Sequence, residues 1–575
     1  MSNRRHPERK GEPPMTSSFT FHAHVSAKAI EKVGRLFNAS IDDILDELLQ
    51  NARRAGATKV VIDQVTDTSL GAAVRLADDG EGLTDPRSFF SLGHSDWSAT
   101  LSQSEDAAGM GFFALANRGA TVVAQQKDTA RSWTIEADPD AFHGKRPVTV
   151  APGPDGHTGV ALTFPADSNE NVAAAVRRAA RYFPLPVIFN GEEMPSSDFL
   201  DGADHLEVWR GIRIGVFPGD SRHSENANFH GVTLRVPLPM LSQRWQRSFA
   251  AKIDVVDCAH LKLVLPARKE VVRDAMYEAL VEEIDRIYFR LIAASGPHSL
   301  SFEDYGRART LGIELDEAEP RLRPFSPSCG DSDRSEIVAP TPVAGDALLF
   351  EGDDPLEEQN VARAIARATD MPAMFEPNHA YTGYGWYDRL HQVVVKSYRM
   401  AIGVTVEEID PYDSFEREGR PDLLEINLEI GNRVAAHNKL LETDLIVSGP
   451  DYASLDDVDI RVSRQSTITP DELTTFLVDA LFSPSDDVEA GSYSQQVEWF
   501  ENEAEDLSIR LLQSTEAADM NAIVRVIQRE LMWRLPKPGN CLIRIHDGKV
   551  EVEGLFPVGE RAGPPRADPA DTTGA

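Results

Sequence analysis

The chain is poor in cysteine, in long apolar runs and, over its second half, in positive charge. Its 575 residues include only Cys258, Cys329 and Cys541, and no two of these form a CxxC or zinc-type spacing. A disulfide framework is therefore not expected, and a reducing cytoplasmic setting fits. No apolar stretch approaches the ~18 residues of an ordinary membrane span. The N-terminal segment is basic but has no apolar core, so it reads as a tail and not as a signal peptide.

Charge is uneven along the chain. Residues 1–295 hold 33 Lys and Arg against 39 Asp and Glu, whereas residues 296–575 hold 25 against 53. Most of the formal charge of −34 thus sits in the second half. Such a surface repels phosphate backbones, which argues against nucleic-acid binding there. The sequence has no internal repeat.

Against these absences stands one ordered set of motifs. Ser40 with Asp43 three residues on has the form of a capping box, and Ile41, Ile44, Leu45, Leu48 and Leu49 follow at helical spacing. Glu47 and Asn51 lie at i and i+4 of this predicted helix, so they project from one face. A carboxylate there can orient and deprotonate a water, and an amide oxygen can complete the shell of Mg²⁺. Thr58 to Val65 is rich in β-branched residues and reads as a strand, with Ala72 to Ala77 as its neighbour.

The second strand runs into Asp78-Asp79-Gly80-Glu81-Gly82. A carboxylate at a strand end can accept a hydrogen bond from an exocyclic amine such as that of adenine, and the glycines admit a close backbone approach. Residues 84–108 form a long polar connection of the kind that serves as a lid or is a disordered segment. Gly109-Met110-Gly111-Phe112 then precedes an apolar helix start, a combination suited to phosphate. Taken singly, these pieces also read as a surface helix, a tight turn and a loop. Their order and spacing favour a nucleotide site.

In that order the motifs resemble the GHKL superfamily, the Bergerat-fold ATPases that include type II topoisomerases, large heat-shock chaperones, histidine kinases and MutL. Glu47 and Asn51 match its N-box, Asp78, Gly80 and Gly82 its DxGxG, and Gly109 and Gly111 its second glycine box. Thr158, ahead of the predicted strand Val160 to Phe164, falls where the family often sets a threonine beside adenine. The resemblance covers roughly residues 20 to 170 and implies ATP and Mg²⁺ as cofactors. It implies Glu47 as catalytic base, Asn51 as metal ligand, and nucleotide contacts from Asp78, Gly80, Gly82, Gly109, Gly111, Phe112 and Thr158. Three departures bear on hydrolysis more than on binding. Arg54 stands where many relatives carry Asp, Asp106 stands where the chaperone type has a further Gly, and the lid contains no lysine.

The segment after Tyr182 aligns the chain in layout with the heat-shock-chaperone and MutL-type members. Asn190-Gly191 is a hairpin signal, and Gly211 to Phe217 and Val232 to Val236 read as strands. Leu263 to Glu270 is expected to open a helix whose apolar face includes Val271, Val272, Ala275, Leu280, Ile284 and Ile287. This looks like a transducer domain, in which relatives place a basic residue against the γ-phosphate; Arg268 and Lys269 are the candidates.

The expected fold is α+β: a Bergerat-fold α/β sandwich ATPase domain over 20–172 and a transducer-like α/β domain over 173–295. A Pro-rich linker over 296–350 and an acidic mixed α/β region over 351–558 follow, with disordered tails at 1–19 and 559–575. Within the acidic region, Asp354-Pro355 reads as a helix start, and Tyr381, Tyr384, Trp386 and Tyr387 beside His379 read as core packing or a turn in preference to a recognition surface. The expected function is Mg-dependent ATP binding and slow hydrolysis that drives a chaperone-like or clamp-like switch, with ATP-dependent homodimerisation and a protein partner on the acidic half. The alternative is a nucleotide-sensing scaffold with negligible hydrolysis. A histidine kinase is the least supported reading, because no dimerisation helix with a phospho-acceptor histidine precedes the motifs.

Overall fold

The structure is a computed structural model. It describes residues 40–67, 70–90, 111–127, 132–143, 145–154, 158–167, 169–219, 224–258, 260–264, 270–432, 435–450, 454–487, 490–514, 516–517, 519–520, 523–524, 540–546 and 549–555. The chain divides into two compact units, Met1–Ala318 and Glu319–Ala575. Both mix helices with sheets, so the fold class is α+β.

The first unit opens with α1 (Ile41–Arg54). The Ser40 hydroxyl accepts from the Asp43 amide at 3.2 Å and donates to the Asp43 carboxylate at 2.8 Å, which satisfies an end-of-helix donor. Asp42 and Asp43 in the first turn, with Arg53 and Arg54 in the last, match the helix dipole. Ile44, Leu45, Leu48 and Leu49 are buried.

These side chains cover an eight-stranded sheet of order β5-β4-β3-β6-β2-β1-β7-β8. The strands are β1 (Val60–Asp67), β2 (Gly71–Asp78), β3 (Ala120–Gln125), β4 (Ser132–Ala137), β5 (Thr149–Pro152), β6 (Gly159–Pro165), β7 (Val187–Phe189) and β8 (Glu192–Glu193). Only β1 and β7 pair in parallel. Alternate residues such as Val60, Ile62, Val74, Leu76, Val122, Leu162 and Phe164 share one core with α1 and α2 (Val172–Ala180). That core runs on to Phe189, past the boundary at 172 expected from sequence. The Asn190-Gly191 hairpin forms with both residues at positive φ, 49° and 86°.

A second sheet follows in the same unit, of order β12-β11-β14-β10-β9 with β13 on β14. Its strands are β9 (His205–Trp209), β10 (Ile212–Pro218), β11 (Ala227–Phe229), β12 (Val232–Leu234), β13 (Met240–Leu241) and β14 (Phe249–Val255). Ile212, Ile214, Ala251 and Ile253 bury against Leu280, Ile284 and Ile287 of α3 (Ala275–Ser295). The expected helix start near Val271 is corrected. Val271 bridges Leu263 in β fashion, and the helix begins after Asp274, whose carboxylate accepts from the Met276 and Tyr277 amides at 3.0 and 3.1 Å. A cap fixes a helix terminus more strongly than apolar periodicity does. The expected 296–350 linker contains α4 (Phe302–Thr310) and the paired β15 (Arg321–Leu322) and β16 (Thr341–Pro342), and the division between units falls inside it.

In the second unit β17 (Leu348–Phe350), β18 (Met374–Phe375), β19 (His391–Ile402), β21 (Leu423–Gly431) and β22 (Ala436–Thr443) form a sheet, with β20 (Thr405–Ile409) on β19. Helix α5 (Pro355–Arg367) is capped by Asp354, as the Asp-Pro pair predicts. Its Asn360 is buried yet satisfied. The amide nitrogen donates to Leu356 O and Val447 O at 3.0 and 2.7 Å, and the oxygen accepts from Val447 N at 3.0 Å. Tyr381, Tyr384 and Tyr387 are buried, in keeping with a packing role. Further along are α6 (Pro470–Leu481) and α7 (Tyr493–Leu512). No helix among the described residues is long and apolar enough to cross a membrane.

Candidate functional site

The site is built where the end of α1 meets the turn after β2. Strand β2 delivers Asp78 as its last residue. Asp78 is 7% exposed, and its Oδ1 accepts from Gly80 N at 2.9 Å and from Val160 N of β6 at 3.4 Å. One carboxylate oxygen therefore ties its own turn to the neighbouring strand. The next carboxylate has a different task. Burial pushes Asp79 up, but hydrogen bonds from the Thr58 hydroxyl and amide (2.5 and 2.7 Å) and the Lys59 amide outweigh it and hold it below the usual carboxylate range. Asp79 closes the α1–β1 connection.

The turn then folds back on the helix: Glu81 N donates to Ala55 O, at the C-cap of α1, at 2.8 Å. Gly82 sits at φ 74°, and a Cβ there would stand 2.0 Å from Gln125 O, so no other residue fits. From the middle of α1 to its last turn, Glu47, Asn51 and Arg54 are spaced i, i+4 and i+7 and share a face. Arg54 Nη1 donates to Asn51 Oδ1 at 3.3 Å and lies 3.9 Å from Glu47 Oε1. The Arg54 and Glu47 side chains are only 6% and 11% exposed. The other flank of α1 is clamped by Arg178 of α2, which meets Asp42 at 2.7 Å and Asp46 at 2.9 Å. Burial pushes the Asp46 carboxyl up to about 6 against the pull of Arg178.

Three features were not legible in sequence. Gly159 (φ 99°) packs so closely on Asp78 that a Cβ would stand 2.2 Å from its backbone oxygen; a lone glycine before a strand gave no warning. Arg54, noted in sequence only as a departure, is in contact with both expected functional side chains. Gln50 is the third. It is 4% exposed, and its amide nitrogen donates to Phe229 O and His230 O of the second sheet at 3.3 and 2.7 Å. The available signal was a polar residue set against an apolar stripe. The receiving turn is held by Asn228, which accepts from Gly231 N at 2.8 Å and donates to Asp254 at 2.7 Å.

The remaining sequence candidates divide. Phe112 is 6% exposed and stacks on Phe89 with ring centres 4.6 Å apart, with Phe90 and Phe142 also against it. Its ring is a core element. The helix expected after the glycine pair is corrected to a five-residue 3-10 turn, Gly111–Leu115, because the chain reverses at Gly119 to enter β3. A turn that short has no aligned dipole to offer a phosphate. Thr158 is exposed, one residue before Gly159. Gly109, Arg268, Lys269 and most of the expected lid (91–108) lie outside the described residues. The flanks of the basic pair are joined by Val264 N donating to Glu270 O at 2.7 Å.

A magnesium ion can be accommodated by these donors. Among the described residues no group of three or more His, Cys, Asp or Glu is set to hold a metal. Asn51 Oδ1 has two lone pairs, of which Arg54 takes one. It can therefore give one oxygen to an ion whose other ligands are phosphate and water, the usual habit of Mg²⁺.

No family model and no curated protein matches the chain. Among solved structures it is similar to the ATPase region of Saccharomyces cerevisiae topoisomerase II, at 10% identity and TM-score 0.30, covering 40% of this chain and 76% of that one. It is similar also to the B-subunit of DNA gyrase from Myxococcus xanthus, at 15% identity and TM-score 0.31, covering 46% and 95%. A third is the N-terminal domain of a DNA repair protein, at 11% identity and TM-score 0.27, covering 44% and 94%. Likenesses this slight do not bear on function.

Proposed function

We propose that the first unit binds ATP at the junction of α1 and the Asp78–Gly82 turn, as a GHKL-type ATPase. One observation supports the reading: the turn that follows the buried strand-end carboxylate Asp78 is tied by Glu81 N to Ala55 O at the C-cap of α1, the helix that carries Glu47 and Asn51 on one face. Chemically, Asp78 accepts from the adenine amine while its backbone neighbours approach the base. Glu47 orients a water and takes its proton at a carboxylate oxygen as the terminal phosphate is attacked. Asn51 would hold a magnesium ion, which supplies neutralisation of the phosphate oxygens when bound.

The switch is supported by Gln50. It lies between Leu49 and Asn51 on α1 and is hydrogen-bonded across 180 residues to the β11–β12 turn. A shift of α1 on nucleotide binding therefore reaches the second sheet directly. Slow hydrolysis driving a chaperone-like or clamp-like cycle, dimerisation on ATP and a protein partner for the acidic second unit complete the proposal.

A second reading is a nucleotide-sensing scaffold with negligible turnover. It is favoured by Arg54, which already engages Asn51 Oδ1 and the Glu47 carboxylate. Phosphate release by wild type and Glu47→Ala separates the two. A rate abolished by the substitution supports the ATPase; equal background rates with intact ATP binding leave the scaffold.

A further inference from the structure

Gln50 is fixed at both ends of its amide. Its nitrogen donates to Phe229 O and His230 O at 3.3 and 2.7 Å, and its oxygen accepts from Arg53 Nε at 3.4 Å. The turn it grips is held from behind by Asn228, 3% exposed, whose oxygen accepts from Gly231 N at 2.8 Å. The Asn228 nitrogen donates onward to Asp254 Oδ1 on β14 at 2.7 Å. Asp254 Oδ2 accepts from Arg213 Nη1 of β10 at 2.9 Å, and Arg213 forks onto both oxygens of Asp198 at 3.1 and 2.7 Å. Asp198 Oδ1 in turn accepts from Leu200 N at 2.9 Å. Hydrogen bonds thus run without a gap from α1 to residue 200.

Two features set this run apart from ordinary surface pairing. An exposed ion pair contributes little. Arg213, however, joins two carboxylates, and the inner one, with a side chain 13% exposed, is backed by a buried amide. Both oxygens of Asp254 and both ends of the Asn228 amide are engaged, so neither residue shifts alone. The second feature is where the run ends. Phe199 and Leu200 pack with Phe217 in a small core of their own, apart from the cores of the two sheets. Lys252 bolts it to β14: its Nζ donates to Phe199 O at 2.6 Å and stands 4.0 Å from the centre of the Phe199 ring. So small a core opens at lower cost than the sheet beneath it.

Resting on the nucleotide reading above, we infer that the nucleotide state of the site is displayed at Asp198–Leu200 through Asn228, Asp254 and Arg213. Arg213, Phe217, Lys252 and Asp254 alternate with the residues that bury against α3, so the display lies on the face of the second sheet turned away from that helix. Asn228, Asp254 and Arg213 are positioning residues. A movement of α1 carries the gripped turn with Gln50, Asn228 moves with the turn, and the carboxylate it holds draws Arg213 and Asp198 along.

The test is amide exchange of the full chain with and without a non-hydrolysable ATP analogue, read at residues 226–236 and 197–204. In wild type the analogue should change exchange in both segments, the second by about 2- to 30-fold, the range of coupling carried by such networks. Gln50→Ala should lose both responses. Arg213→Met keeps the aliphatic stem and lies outside the site; it should keep the first response and lose the second. Arg213→Lys, which keeps the charge, should restore part of the second. Each response is a difference between nucleotide states of one variant, so loosening common to both states cancels. A 197–204 response in Arg213→Met equal to that of wild type, or none there in wild type that binds the analogue, overturns the inference and leaves nucleotide binding intact. Failure of wild type to bind the analogue in a calorimetric titration overturns the nucleotide reading and the inference together.

Discussion

At the scale of residues, chemistry and architecture are combined in the same side chains. Asp78 Oδ1 is committed to Gly80 N and Val160 N, so the carboxylate is held in place before any ligand arrives. Preorganisation of this kind makes an acceptor selective. In the proposed ATPase, turnover depends on Glu47. Glu47→Ala should lower steady-state phosphate release by about 10²- to 10⁴-fold with ATP affinity little changed, the usual contribution of a general base. Equal rates would assign Glu47 to structure. Gly159 should tolerate no side chain. Gly159→Ala meets both a φ of 99° and the Asp78 carbonyl, and should cost about 1–3 kcal/mol, read as a lowered melting temperature.

At the scale of elements, α1 is the working part. Gln50→Ala removes a donor from the Phe229 and His230 carbonyls without touching the face of Glu47 and Asn51. The expected result is ATP-analogue affinity within about threefold of wild type. Nucleotide-dependent amide-exchange protection in residues 226–236 should disappear. Protection that survives would route the coupling elsewhere. In the second unit, α5 carries a pH response. Burial first, then the neighbouring Asp353, pushes Glu357 up to about 7 from 4.5. Raised in the folded state, this carboxyl contributes stability that is complete below about 4.5 and lost as pH rises through about 7. The unit should lose about 1–3 kcal/mol between pH 5 and 8, and Glu357→Gln should flatten that loss.

The elements also show where sequence reading succeeds. Helix α1 and strands β1 and β2 were legible because a cap, a 3.6-residue stripe and β-branched alternation are local signals. The start of α3 was misplaced, since Val271 and Val272 extend the apolar pattern while Asp274 sets the terminus. Phe112 looked like part of a phosphate loop by its place after a glycine pair. Its burial depends on Phe89, Phe90 and Phe142, which no local pattern reveals. The partners of Gln50 were hidden for the same reason, because they lie 179 and 180 residues away.

At the scale of the whole molecule, the account is of an ATP-binding unit that carries a strongly acidic second unit. ATP-driven association should appear in sedimentation velocity as a dimer with the analogue and a monomer with ADP. The same distribution with both would remove dimerisation from the cycle. The central claim is that Asp78 reads the base. Calorimetric titration of ATP into wild type and Asp78→Asn tests it most directly. Asparagine can present a donor to the adenine amine and leave a buried group unpaired, which costs about 1–3 kcal/mol, so affinity should fall about 5- to 150-fold. Undiminished ATP affinity in Asp78→Asn would remove Asp78 from the site and contradict the account.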